Sequence, residues 1–331
     1  MRATVRDVAR LAGVSPKTVS NVVNGQVPVR PLTRERVQRA LDALDYVPNL
    51  SARGLRNGRT GVIALALPDL STAYSAQLAH EIVTAAARRG WSVQIEETGG
   101  GGRREAELLS RARAHLVDGL VLNPVLLETS AVQRGVSLPP VVLIGEVDQP
   151  VVDHVWVDNV AAARAMTTLL VARGHRRIAV LGVMRSASSR LREQGFRQAF
   201  AAAGLRLDPT LEIPTSSWAP SGGYEALRGW LARHDLPDAV FCFTDSLALG
   251  ALHALHEAGV RVPGDVSVVG YDDVPEAAHY SPPLTTVSFD KSVFAEAVLA
   301  RLALRIADPS GPVTSSSVDF TLVERTSVRT R

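Results

Sequence analysis

Lys17, Thr18, Ser20 and Asn21 fall within five positions, and each is a hydrogen-bond donor with no acidic residue among them. A lysine can donate to guanine O6 and N7, and an asparagine can make a bidentate pair with adenine. Thr18 and Ser20 are suited to phosphate oxygens, which position a protein on a duplex without reading its sequence. Thr4, Ser15 and Asn24 complete this polar set. Other chemistry is poorly represented. "TGGGGRRE" lacks the Gly-Lys-Ser/Thr ending of a phosphate loop, is not GxGxxG, and reads as a flexible surface loop. His253 and His256 are three apart with no further metal ligand close in sequence, which implies a solvated face and no metal. Cys242 ends an apolar strand, where a thiol is inert. No GxSxG and no pair of catalytic carboxylates occurs, so the chain reads as a non-enzyme without a cofactor.

The elements around the donors explain their exposure. Val19, Val22 and Val23 form a helical stripe on the opposite face, with Ser15 as N-cap, Pro16 at the first helical position and Gly25 as the stop. A preceding helix, capped by Thr4, turns Val5, Val8, Ala9 and Ala12 inward, and Gly13 permits the tight turn between the two. A third helix from about Thr33 to Leu44 supports them with Val37, Ala40, Leu41 and Leu44. This is a helix-turn-helix, whose second helix enters the major groove. Residues 1–60 hold eleven Arg/Lys against four Asp/Glu, a net +7, whereas the chain as a whole carries only +3. A basic module on a mildly acidic body implies a polyanionic partner.

From Gly61 the pattern becomes apolar strands alternating with amphipathic helices: "GVIALALP", "WSVQIEE", "DGLVLNP", "PVVLIGE" and "HVWVD", then a restart at "RRIAVLG", "DAVFCF" and "VSVVGYDD". Continuous apolar strands between helices mean parallel sheets covered on both faces. Two runs predict an α/β body of two doubly wound subdomains with a ligand cleft at the carboxyl ends of the strands. With 46% apolar and 21% charged residues, a single cysteine, no apolar run of membrane-spanning length and no apolar signal at "MRATVRDVAR", the expectation is a soluble cytoplasmic protein.

"VRDVARLAGVSPKTVSNVVNG" followed by "TRERVQRALDALDYVPN" resembles the lac repressor/galactose repressor family of bacterial transcription regulators. "ARGHRRIAVLG", "TDSLALGALHALHEAGVRVPGDVSVVGYDD" and "SPPLTTV" extend the resemblance across nearly the whole chain. The resemblance implies a reader at 1–48, a hinge at 49–60 and a periplasmic-binding-protein-like core at 61–331. The core divides into subdomains of about 61–158 with 290–317 and about 159–289 with 318–331, crossing near Asp158, Phe289 and Ser317. Pro16 stands where many relatives carry a longer base-reading side chain, so one base is read by apolar contact alone. A two-turn helix from Leu50 to Arg56 is unstable in isolation, and Gly54 costs it about 1 kcal/mol. By resemblance it forms on the operator, pairs with its twin at Ala52 and drives Leu55 into the minor groove. Arg192 matches an arginine that binds effector oxygens, and Asp272 an acidic residue that takes hydroxyls or ring nitrogens. Trp218 and Phe289 offer flat apolar faces, while Tyr74, Glu146 and Asp245 complete the candidates, although Asp245 most simply caps the helix after it. Thr244 replaces an asparagine common in the family, and Phe289 a polar contact of some sugar-responsive relatives.

The expected partners are a near-palindromic DNA operator, a small effector (a sugar first, a purine or nucleoside as the alternative) and a second copy of the chain. A chain end without a heptad tail favours a dimer over a tetramer. A transporter's solute-binding protein and a Rossmann-type enzyme are the competing classes. The first lacks an export signal and leaves the reader unexplained; the second lacks a dinucleotide fingerprint after the first strand.

Overall fold

In a computed structural model the described residues are 3–24, 27–46, 59–114, 116–126, 130–133, 138–145 and 151–331. No helix among them is long and apolar enough to cross a membrane. The chain divides into two compact units, Met1–Thr60 and Gly61–Arg331.

The first unit holds α1 (Val5–Ala12), α2 (Pro16–Asn24) and α3 (Pro31–Ala43). Thr4 and Asp7 make a reciprocal capping box at the start of α1, and Gly13 ends that helix at φ +62°. Ser15 Oγ accepts from Thr18 N at 3.1 Å, which satisfies a free donor in the first turn of α2. Helix α3 begins two residues ahead of expectation because Pro31 occupies its first turn, where its missing N–H costs nothing. Val8, Ala9, Ala12, Val19, Val37 and Ala40 are the buried centre of this three-helix unit.

The second unit runs β1 (Val62–Leu67), α4 (Ala73–Arg88), β2 (Ser92–Glu97), α5 (Gly102–Arg113), β3 (Gly119–Leu122), β4 (Val141–Ile144) and β5 (Asp153–Val157). It continues α6 (Asn159–Ala172), β6 (Ile178–Val183), α7 (Ala187–Ala202), β7 (Glu212–Pro214), α8 (Pro220–Leu231), β8 (Ala239–Cys242), α9 (Asp245–Glu257) and β9 (Ser267–Tyr271). It closes with β10 (Thr285–Phe289), α10 (Lys291–Ala307), β11 (Ser315–Val318) and β12 (Phe320–Val323). The strands build two six-stranded sheets, ordered β11-β5-β4-β3-β1-β2 and β12-β10-β9-β8-β6-β7. All neighbours are parallel except β12, which runs antiparallel to β10. Within β1 the large residues Ile63, Leu65 and Leu67 face α4 and α10, while Ala64 and Ala66 face α5. In the second sheet Leu181, Val240 and Cys242 face α8 and α9, whereas Val180, Phe241 and Phe243 face α6 and α7. The chain passes between sheets after β5, after β10 and between β11 and β12, with an aspartate at each passage: Asp158, Asp290 and Asp319. The first two cap the helices that follow.

Several local expectations change. Helices α4, α6 and α7 begin directly after Thr72, Asp158 and Ser186, whose side chains cap them. Strands β7, β10, β11 and β12 were not evident from hydropathy; β7 and β11 are short edge strands, and β11 is mostly exposed serine. The "TGGGGRRE" stretch is a shaped entry into α5 and not a flexible loop. Gly99 and Gly100 have positive φ, and the buried Thr98 hydroxyl accepts from Gly100 N at 3.2 Å. Gly270 lies inside β9, where a Cβ would meet Asp245 Oδ1 at 2.0 Å, so the absence of a side chain permits this close approach.

Candidate functional site

On α2, Ser15, Pro16 and Lys17 are exposed, Thr18, Ser20 and Asn21 are half-buried, and Val19 is fully buried beneath them. The helix lacks acidic residues in its first turn, so its positive end is not offset. Thr4 and Ser15 are already engaged as caps, and Ser15 Oγ also bonds Thr18 Oγ1 at 2.9 Å. The side chain of Asn24, together with Gly25, Ala52, Leu55 and Glu146, lies outside the described residues.

The second unit contains a cleft lined by residues of both subdomains. Both sheets reverse their strand order between β1 and β3 and between β6 and β8, and the cleft opens at those four carboxyl ends. Pro68 and Asp69 follow β1, Asn123 follows β3, Ser186 follows β6, and Thr244 follows β8. The two subdomains touch across it, Ala187 N donating to Val125 O at 3.1 Å.

Tyr74, Arg192, Trp218 and Asp272 line the cleft together. Tyr74 comes from the first turn of α4, Arg192 from α7, Trp218 from the turn before α8, and Asp272 from the bend after β9. Arg192 is 5% exposed. Its Nε donates to Asn159 Oδ1 at 2.7 Å, Nη1 donates to the Phe243 carbonyl, and Nη2 lies 3.8 Å from Asp272 Oδ1. Its guanidinium carbon stands 3.6 Å above the Tyr271 ring. Asp272 has φ +108°, which L side chains seldom adopt, and its N–H donates to Val287 O at 2.9 Å.

Two expected contacts fall elsewhere. Asp245 does not line the cleft, nor does it cap its own helix. Thr244 is the cap, its Oγ1 accepting from Leu247 N at 3.1 Å. Asp245 is instead fully buried, accepting from Thr286 Oγ1 at 2.6 Å and Val274 N at 2.9 Å, which ties two loops into the sheet. Burial, and then the charge of Asp272, raise its pKa to about 8. Phe289 sits behind the cleft, edge-on to Tyr74 and Phe294 at 6.4 and 5.5 Å, beside a smaller cavity. Its phenyl ring is part of the first-sheet core. Cys242 is buried, and desolvation pushes its thiol well above the usual range. His253 is exposed and packs beside Tyr224 and Glu257.

Sequence reading did not select Asp69, Thr72, Ser75, Asn123, Ser186, Ser188 and Ser246, which also line the cleft. Their signal was available: each follows a strand or opens a helix at the carboxyl end of a sheet. Small hydroxyl residues there are also ordinary helix caps, which is what Thr72 and Ser186 are. Asn159, the Arg192 partner, gave no signal.

Comparison with known proteins agrees with this geometry. Residues 4–49 match the family "Bacterial regulatory proteins, lacI family", and residues 167–328 match the "Periplasmic binding protein-like domain". The chain is 32% identical over 333 residues to the HTH-type transcriptional repressor PurR of Pasteurella multocida, covering 99% of each. It is 32% identical over 314 residues to the ribose operon repressor of Escherichia coli K12, covering 93% of this chain and 94% of that one. A solved lac repressor dimer, bound to operator and the anti-inducer ONPF, superimposes with TM-score 0.86 at 29% identity, covering 99% of this chain and all of that one. With a helix-turn-helix reader ahead of a ligand-cleft body, and repressors as its full-length relatives, the chain is a member of the lacI family of bacterial regulatory proteins, and it is a regulator and not an enzyme.

Proposed function

We propose that this regulator is a homodimeric, cytoplasmic repressor that binds a near-palindromic operator and is controlled by a neutral polyhydroxylated effector, a sugar first. Lys17 and Asn21 read bases from α2, Pro16 supplies an apolar contact, and Thr4, Ser15, Thr18, Ser20 and Asn24 orient the reader. The 49–60 hinge, with Ala52 and Leu55, transmits the state of the body.

The composition of the cleft wall carries the effector reading. Thr72, Ser75, Ser186, Ser188, Thr244 and Ser246 offer hydroxyls that both donate and accept, and Trp218 offers a flat face for the CH side of a sugar ring. Among the described lining residues the single cation is Arg192, and its guanidinium is taken up by Asn159, Phe243, Asp272 and Tyr271. An added phosphate would therefore meet no uncommitted cation. The ribose operon repressor among the relatives supports a sugar. A ligand that bridges the walls would favour one angle between subdomains, and its differential affinity for the two arrangements sets the change in operator affinity.

A thermal-shift series with D-ribose, D-glucose, cellobiose, D-ribose 5-phosphate, hypoxanthine and inosine tests the reading. Saturable stabilisation by a neutral sugar is expected. Stabilisation by the phosphorylated sugar alone would overturn it, and stabilisation by hypoxanthine or inosine alone would replace it with a purine effector stacked on Trp218.

A further inference from the structure

Of the 36 Lys and Arg residues in the chain, only Lys17 and Lys291 are lysines. A compact ammonium and a planar fork with five donors are not interchangeable at a buried site. Lys17 stands on the reading helix. Lys291 is 5% exposed, at the first position of α10 and immediately after the second passage between subdomains.

The helix and the side chain of Lys291 serve different subdomains. Phe294, Ala295 and Val298 of α10 pack into the core of the first sheet. The Lys291 ammonium instead donates to the backbone carbonyl of Asp272, in the second subdomain, and lies 4.7 Å from the centre of the Phe289 ring. Asp272 and Asp273 both have positive φ, +108° and +50°. From within its own subdomain this bend is held by Asp272 N on Val287 O at 2.9 Å and by Arg325 on Asp273 at 2.7 Å. Arg192 approaches the Asp272 carboxylate from the same side. Lys291 ties the bend to a helix packed into the first subdomain. Burial lowers the Lys291 pKa, and the charges of Asp272, Asp273, Asp245 and Asp290 oppose that shift.

We infer that Lys291 is a positioning residue that couples the ligand-facing bend at Asp272 to the first subdomain, so that cleft geometry and the angle between subdomains change together. The inference rests on the cleft being the effector site, but the coupling is measurable without effector. Val125 and Ala187, whose backbones meet across the cleft at 3.1 Å, are replaced by cysteine in the full chain. The native Cys242 is buried and does not compete. Dibromobimane crosslinking of V125C/A187C then reports how often the cleft is closed. K291M should crosslink about tenfold more slowly, the factor expected if a charge-assisted hydrogen bond favours the closed arrangement. K291Q, which keeps a shorter donor, should fall between the two and carries the comparison if K291M does not fold. Alkylation rates of the single-cysteine variants should not change. Crosslinking at the native rate in either folded variant, even with a lowered unfolding midpoint, reduces Lys291 to a packing residue and overturns the inference while leaving the effector reading intact. Slow crosslinking in a chain that no compound in the series stabilises keeps the coupling and removes the effector reading.

Discussion

Replacing Arg192 by methionine keeps most of the aliphatic stem and removes the charge. The guanidinium contacts four groups in a nearly buried setting: Asn159 Oδ1 at 2.7 Å, the Phe243 carbonyl, the Asp272 carboxylate at 3.8 Å and the Tyr271 ring at 3.6 Å. Breaking a buried ion pair by deleting one partner costs about 3–5 kcal/mol, because the remaining charge loses its compensation. The lower end applies here, since the two charges are 3.8 Å apart, beyond direct hydrogen-bond distance. About 3 kcal/mol lowers Tm by roughly 6–12 °C for a domain of this size. Urea and thermal unfolding of the full chain without added ligand, followed by circular dichroism, measures the effect. R192K should lie between the two, because one ammonium cannot reach Asn159 and Phe243 in the same geometry. If R192M unfolds within about 1 kcal/mol of the native chain, the guanidinium is not committed to the protein, and the argument for an uncharged effector falls with it.

Other outcomes follow from the same structure. Lys17→Ala should cost about 1–3 kcal/mol on the preferred operator and relax the choice at one base pair, read by binding to a set of singly substituted operators. Leu55→Ala should weaken operator binding strongly while effector-induced thermal stabilisation is unchanged; equal DNA affinity would remove the minor-groove wedge. Gly250→Ala places a Cβ 1.9 Å from Pro220 O at the crossing of α8 and α9 and should destabilise by about 1–3 kcal/mol or more in urea. Gly229→Ala, with nothing within 4 Å, should instead be neutral or stabilising by up to about 1 kcal/mol. Burial holds His175 below its ordinary value of 6.5, so the unfolded chain binds the extra proton and stability is lost as pH falls below that value. Asp245, raised to about 8, acts in the opposite sense: the folded chain keeps a proton the unfolded one releases, so its contribution is lost as pH rises from the ordinary carboxylate range through about 8. Urea midpoints across this range should fall on both sides, the acid limb flattening in His175→Gln.

The three-helix unit and the two-sheet body were legible in the residue pattern alone. Each of these rests on short-range chemistry: a stripe of valines three and four apart, a Ser15 cap, strands of continuous apolar residues between helices. Residue types at the cleft were legible in part, with Tyr74, Arg192, Trp218 and Asp272 meeting there from four separate elements. How those groups are employed depends on partners far away in the chain. Asp245 reads as a helix cap because its neighbours in sequence are a helix, yet its partners Val274 and Thr286 are 29 and 41 residues away. Arg192, expected by resemblance to bind effector oxygens, is held by Asn159 and Phe243 from 33 and 51 residues away. Lys291 belongs by chain position to one subdomain and by its hydrogen bond to the other. A local pattern records which face of an element is apolar; where a polar group finds its partner depends on which distant strands the sheet order makes neighbours.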